Sequence, residues 1–457
     1  MMPQSIRAAQ KLLSHPGTAI ALARVVSLAA AVVQLPLLSH NLVDSDFVRV
    51  SATIALSTYL GLVAFEPTAL AFQRFPGNAT SRANYRYASR SWFNRCAVTI
   101  TLVGIYGLAS SDGWGAAAFA AWGINLAQIR FISTAWLMWE KPWRYLLAVS
   151  VNTLSRTSVL AAAIVLNTNP MAAVAIAGFV SFVAVLAVRP HVGQDWPVAR
   201  PWTHSFGISL ALASASYTVQ QGLDRALLPR LVTDHRAAAA YAAMAMVASL
   251  SAGAIYSLVT TTYYPNFIRR TNSSDLGGAM DLLNGLLAKV TAIGAIISTA
   301  ATLFGQPVLN IALGPGRVDM PLLVALLNSA CLFAYGHQIS WVHHLSANAA
   351  GLRNRSLAAL VSLALVPTLG WVFHSRGLAW AAALSAFAYT VAMTIGTKMG
   401  PRGYVAVALL LAAAVLPTTT NIYAALAPPL AALLLHTSGT RPSGARAILP
   451  AYDRGRA

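Results

Sequence analysis

Acidic side chains are scarce in this chain: 12 among 457 residues, against 31 lysines and arginines. Charged residues of both signs make up only 9%, where a soluble domain carries about 25%. Cysteine is scarcer still, with Cys96 and Cys331 alone. Two cysteines this far apart give neither a disulfide framework nor metal-ligand spacing; both read as small packing residues. No nucleophile elbow, phosphate-cradling glycine loop or Walker sequence is present. Nucleotide hydrolysis and serine-type catalysis therefore have no foothold, and no cofactor or metal is expected. Work done by such a chain runs downhill or draws on an H+ or Na+ gradient.

Apolar residues are what the chain has in quantity. They make up 57% of it, and the mean hydropathy is +0.61. A spanning helix needs about 20 apolar residues. By length and punctuation the sequence predicts fourteen spans, near 17–39, 49–73, 92–110, 114–138, 144–166, 171–188, 205–230, 238–264, 282–304, 320–344, 356–374, 377–397, 403–417 and 420–437. The last two are short, and one long hairpin is the alternative. The expected fold is an all-α integral membrane protein of about 14 transmembrane helices.

Net charge is +19. In a soluble protein that would point to nucleic acid. Here the basic residues fall in alternate short loops, which is a topology signal instead. One side carries Arg7 and Lys11, the group from Arg74 to Arg95, Lys141 and Arg144, Arg189 and Arg200, Arg269 and Arg270, Arg353 and Arg355, Lys398 and Arg402, and the tail. The other side holds Arg49, Arg230, Arg236, Arg317 and Arg376. Both termini are thus expected in the cytoplasm of a multi-pass membrane protein, with the first span serving as an uncleaved insertion signal. No nucleic-acid partner is expected.

A weak internal repeat runs at an offset of 190: Leu37-Leu38 and Asp44 match Leu227-Leu228 and Asp234. Six spans separate the copies, so the repeat is parallel, with its axis along the membrane normal. This predicts an amphipathic cytoplasmic start (1–16), a six-helix lobe (17–204), a second six-helix lobe (205–397), two extra helices (398–437) and a basic tail (438–457).

Five basic residues interrupt apolar runs: Arg24, Arg130, Arg156, Arg225 and Lys289. A cation at the bilayer centre costs about 2.5–3.5 kcal/mol on the insertion scale. Only Glu66 and Asp224 are acids so placed. An interior with surplus positive charge suits an anionic cargo and repels cationic drugs. Arg24 and Glu66 read either as a structural ion pair or as a cavity cation with an acid that tunes it or exchanges a proton. Pro67 is a hinge or a bend. Arg156 sits in the polar run Asn152 to Ser158, which cannot face lipid. For Arg130 the alternatives are substrate contact and a structural hydrogen bond; for Lys289 snorkelling is the plainer reading. Asp224 and Arg225 point about 100° apart on a helix, so one pairs with another helix while its neighbour faces the cavity. His337, His343 and His344 cluster near one span end with no carboxylate at ligand spacing, which reads as interfacial packing.

The stretch from Leu210 through Gln220-Gln221-Gly222-Leu223-Asp224-Arg225, followed by Ala239-Ala240-Tyr241, resembles the polysaccharide flippases of the multidrug/oligosaccharidyl-lipid/polysaccharide (MOP) superfamily. Glu66 before Arg74-Phe75, and Val308 to Pro315, resemble the same family. The chain departs from it in having Glu66 without the usual glycines. The resemblance implies a V-shaped bundle of two lobes, alternating access and a cationic central cavity. It also implies a polyprenyl-pyrophosphate-linked oligosaccharide as cargo, membrane lipids as surroundings, and glycan polymerase or ligase machinery as partners. On this reading Arg24, Arg130, Arg156 and Arg225 bind substrate, and Glu66 and Asp224 are the residues for ion coupling. Alternatives are a peptidoglycan-precursor flippase, a cation-coupled multidrug antiporter and a membrane-embedded glycan polymerase or transferase. The short outer loops argue against the last.

Overall fold

The computed structural model describes residues 16–61, 78–110, 112–139, 141–190, 222–273, 275–314, 316–345, 349–395, 401–419 and 427–437, and every element among them is helical. In chain order these are α1 (Pro16–Asn41), α2 (Asp44–Leu60), α3 (Asn78–Ser110), α4 (Gly113–Met138), α5 (Pro142–Val165) and α6 (Pro170–Leu186). There follow α7, described over 222–231, then α8 (His235–Asn272), α9 (Leu276–Leu313), α10 (Met320–Leu345), α11 (Ala349–Thr394), α12 (Pro401–Thr419) and α13 (Ala427–Thr437). Five of the described helices are long and apolar enough to cross a membrane, those that contain Thr18–Asn41, Pro142–Val165, Gly277–Leu313, Met320–Trp341 and Arg353–Thr394. Large apolar side chains lie exposed on several helices, among them Leu108, Ile311 and Trp371 at 74–89%. Surfaces of this kind belong in lipid.

Local chemistry explains where the helices begin. Pro142 and Pro170 occupy first-turn positions, where a missing N–H costs nothing. The side chains of Asp112, Asp234, Asp275 and Asp319 accept hydrogen bonds from the first backbone N–H groups of α4, α8, α9 and α10, and Asn169 does the same for α6. Four of the twelve acids are therefore helix caps. The break expected between spans eleven and twelve is a kink inside α11, where His374 adopts φ 52° and ψ −129°.

Several residues expected in loops lie on helices instead. α3 starts at Asn78 and carries Arg82, Arg86, Arg90 and Arg95; α8 runs on through Arg269 and Arg270. α11 begins at Ala349, so Arg353 and Arg355 belong to it. Arg355 is only 9% exposed, and Asn354 donates its Nδ2 to the carbonyl of Ala392. A polar residue near a span end continues the helix when its side chain finds a partner there, which loop composition does not reveal. Arg49 likewise lies on α2, ion-paired with Asp112 at 2.6 Å.

The chain divides into two compact units, Met1–Thr218 and Val219–Ala457. Within the first, α4 packs against α2, α3, α5 and α6, and α1 packs along α5. Within the second, α10 packs against α8, α9, α11 and α12, and α13 rests on α9 and α12. The central helix is thus the fourth of its unit in each case. Leu38 and Leu228 are both buried to 2% exposure or less, a few residues before the turn into the next helix. Close helix crossings depend on two glycines. A Cβ on Gly123 would come 2.9 Å from the carbonyl of Ser57 on α2, and one on Gly178 of α6 would come 2.8 Å from the backbone of Ala121 and Trp122. Small residues of this kind let membrane helices approach.

Candidate functional site

In the first unit the polar side chains converge on α4, α5 and α1. Ala23 packs with Ile129, Ile132, Trp136, Tyr145 and Ala148 in one apolar cluster. Eleven residues further along α1, Gln34 donates to the hydroxyl of Thr157 at 2.6 Å. The helices α1 and α5 therefore run side by side in the same sense. Arg24 lies at the level of Tyr145, half-buried, and its charge acts on that phenol. Arg156 lies at the level of Gln34, about 15 Å further along the helix axis.

Arg156 is the best-defined group of the site. Its guanidinium carbon is 4.7 Å from the ring centre of Trp122, and Trp122 is 3% exposed. The Nε atom is sealed and makes no hydrogen bond among the described residues. The residue as a whole is half-buried. A guanidinium resting on an indole keeps its charge and its fork of donors, since the ring supports the cation through its quadrupole. The surrounding polar groups are uncharged. Asn125 donates to Asn152 at 2.8 Å, both buried. Ser155 hydrogen-bonds the hydroxyl of Ser181 on α6 at 3.2 Å. Gln128 is 2% exposed, and its amide has no hydrogen-bond partner among the described residues.

Arg130 is on α4 near the level of Arg24, but on the exposed face of the helix. Arg24 and Arg156 share the packed pair α1–α5 without being level, so they cannot close on one small phosphate group together. Glu66 and Pro67 lie outside the described residues, as does any pairing of Glu66 with Arg24.

In the second unit, Asp224 accepts a hydrogen bond from the hydroxyl of Tyr241 at the start of α8. Tyr241 is fully buried, and the charges of both Asp224 and Arg225 act on it. The acid of the pair is therefore tied to a neighbouring helix. Lys289 donates to the hydroxyl of Tyr263 at 2.8 Å and lies 4.6 Å from that ring's centre; it is held by α8 while remaining exposed. Cys96 and Cys331 are both buried and free, and no group of three metal-ligating side chains occurs among the described residues.

Trp122 and Tyr263 escaped the sequence reading. Each is an ordinary residue of an apolar run, and its partner lies on another helix. The one available signal was polarity: Asn125 and Gln128 are too polar for a lipid-facing helix.

This is the fold of a multi-pass membrane protein, and it is shared with the transporters of the MOP superfamily. Among solved structures the chain is similar to the lipid II flippase MurJ in its inward closed conformation, with TM-score 0.59 and 12% identity over 92% of this chain and 96% of that one. It is also similar to an inward-facing multidrug resistance MATE family transporter, with TM-score 0.57 and 13% identity over 82% and 94%. A third is a MOP superfamily transporter from Pyrococcus furiosus, described as having a binding pocket of reverse polarity that suggests a different function, with TM-score 0.56 and 13% identity over 88% and 98%. No protein-family model matches the sequence, and no curated protein matches it.

Proposed function

We propose that this protein flips a polyprenyl-pyrophosphate-linked oligosaccharide across the bacterial cytoplasmic membrane, supplying cell-surface polysaccharide synthesis. Fourteen crossings, cytoplasmic termini and alternating access of two lobes belong to this reading. The carrying observation is Arg156, half-buried on Trp122, with no carboxylate partner among the described residues and uncharged amides and hydroxyls around it. A structural cation in a bundle is normally neutralised by an acid. One left with its fork open suits a phosphate, which it can grip through two oxygens. The axial separation of Arg24 and Arg156 suits an elongated anionic head group, with Arg24 on one portion and Arg156 on another. Arg130 and Arg225 supply further positive charge, and Asp224 and Glu66 are the acids available for H+ or Na+ coupling. The glycan polymerase or ligase machinery would receive the product.

A second reading is a peptidoglycan-precursor flippase, favoured by the likeness of fold to MurJ. Essentiality separates the two, since loss of a precursor flippase arrests growth. A cation-coupled drug antiporter fits the cationic interior poorly. The decisive variants are Arg24→Ala and Arg156→Ala: each is expected to abolish glycan export while the protein remains folded in the membrane. Intact export in both would refute the assignment.

A further inference from the structure

Outside the arginines, the densest knot of polar groups in the second unit surrounds His337. It lies on α10, whose apolar window is 89% buried, the most enclosed of the five long apolar helices described. Ionisable residues within membrane bundles mark ion and proton pathways. The Nδ1 atom of His337 is 3.4 Å from the hydroxyl of Tyr389 on α11. Tyr389 is 1% exposed, and its ring stacks on Phe333 at 4.7 Å. Its hydroxyl also lies within reach of the Ser340 hydroxyl and feels the charge of buried Arg355. The Oγ of Ser340 in turn donates to the backbone carbonyl of His337 at 2.7 Å. Beside His337, Gln338 is fully buried, and neither end of its amide has a hydrogen-bond partner among the described residues. An orphaned buried amide costs about 1–3 kcal/mol, and such groups persist where function holds them.

The neighbouring helices bring further titratable groups. Phe267 of α8 packs on Trp341, one turn beyond His337. One turn before Phe267, on the same face of α8, is Tyr263, which holds Lys289 of α9. From α11 come Tyr389 and Arg355, and from α10 itself Tyr335. α12 meets α10 at the uncharged Ala413, and α9 meets it at Val290; exposed Asp281 is on the opposite face of α9 from Val290.

We propose that His337 is a proton-binding site of the second unit, and that its proton drives the transport cycle. In the neutral form, with its hydrogen on Nε2, the ring accepts the hydroxyl proton of Tyr389 at Nδ1. A hydronium ion then gives up a proton: its O–H bond breaks, leaving water, and the Nδ1–H bond forms. The new N–H donates to the Tyr389 oxygen, and the Tyr389 hydroxyl turns to Ser340, which still donates to the His337 carbonyl. No other bond forms or breaks. Imidazole is the side chain suited to this exchange, having an ordinary pKa of about 6.5.

The coupling rests on the translocation reading; the proton site does not, and the experiment separates them. The full chain is purified into phospholipid nanodiscs, and its histidine ring protons are titrated by NMR between pH 5 and 8. One of the resonances that titrate in the wild type is expected to be missing in His337→Gln, and to move its midpoint by about half a unit in Tyr389→Phe. If His337→Gln loses no titrating resonance, or Tyr389→Phe leaves the midpoint in place, the site is refuted. In cells, export by the wild type is expected to fall when a protonophore collapses the gradient, and export by His337→Gln to be low and indifferent to it. Retained protonophore sensitivity in that variant overturns the coupling. A titrating His337 in a protein with no effect on lipid-linked glycans keeps the site and rejects the cargo.

Discussion

The guanidinium of Arg156 lies over the indole of Trp122 at 4.7 Å, joining the middle of α5 to the middle of α4. The ring and the charge perform different tasks and can be separated by substitution. Arg156→Lys keeps the charge but loses the two-pronged fork, and is expected to retain weak export. Arg156→Ala loses both. A charge-assisted hydrogen bond contributes about 1.5–3 kcal/mol, so cargo affinity is expected to fall about 10- to 150-fold. Trp122→Phe keeps the packing and weakens the cation–π contact, with an expected loss of several-fold. Binding of the purified lipid-linked glycan to each variant in nanodiscs measures the series.

Asn125 and Asn152 join α4 to α5 through one buried hydrogen bond. Asn152→Ala removes the partner of a buried amide and is expected to destabilise the protein by about 1–3 kcal/mol. Asn125→Ala and Asn152→Ala together should cost less than their sum, because the second change removes the group the first left stranded. Thermal unfolding in detergent of the four proteins gives the cycle.

The Tyr241 hydroxyl ties Asp224 to α8. Tyr241→Phe is expected to lower the melting temperature, since the half-buried carboxylate loses its donor. Asp224→Asn preserves an acceptor and should melt close to the wild type. If Asp224 also carries the coupling ion, Asp224→Asn abolishes gradient-driven export while leaving the fold intact. Melting and export measured on the same two variants tell the two roles apart.

At the loop end of α4, the Arg49 guanidinium holds the Asp112 carboxyl below its ordinary value by hydrogen bonding, helped by the backbone N–H of Gly115 and opposed by partial burial. A depressed carboxylate stabilises the fold above its unfolded pKa, and that contribution disappears as pH falls through the folded value. Asp112→Asn keeps an acceptor for the cap but loses the charge. The wild type should therefore melt slightly higher than Asp112→Asn at pH 7, with the gap closing below about pH 4. The gap is small, below about 1 kcal/mol, because both side chains are close to half exposed. It should also shrink in high salt.

Much of the architecture was legible because hydropathy and punctuation are local. Pro142 and Pro170 announce the starts of α5 and α6, and the break after Phe373 is visible in the stretch His374-Ser375-Arg376. Helix ends were less legible: Arg49 and Asn354 look like loop residues until their partners are known. The arginines of the site could be named from their cost in lipid, which is a property of the residue alone. Their surroundings could not. That Arg156 rests on Trp122, and that Arg24 stands a different distance along the bundle, depend on how α1, α4 and α5 pack together.

The most direct test is the pool of lipid-linked intermediates in cells depleted of this protein. Lipids are extracted and identified by mass spectrometry, and their leaflet is assigned by access to an enzyme added from the periplasmic side. The account predicts accumulation of a polyprenyl-pyrophosphate glycan that the enzyme cannot reach, restored to export by the wild type and not by Arg156→Ala. An unchanged pool on depletion would contradict the flippase assignment, including its peptidoglycan-precursor form.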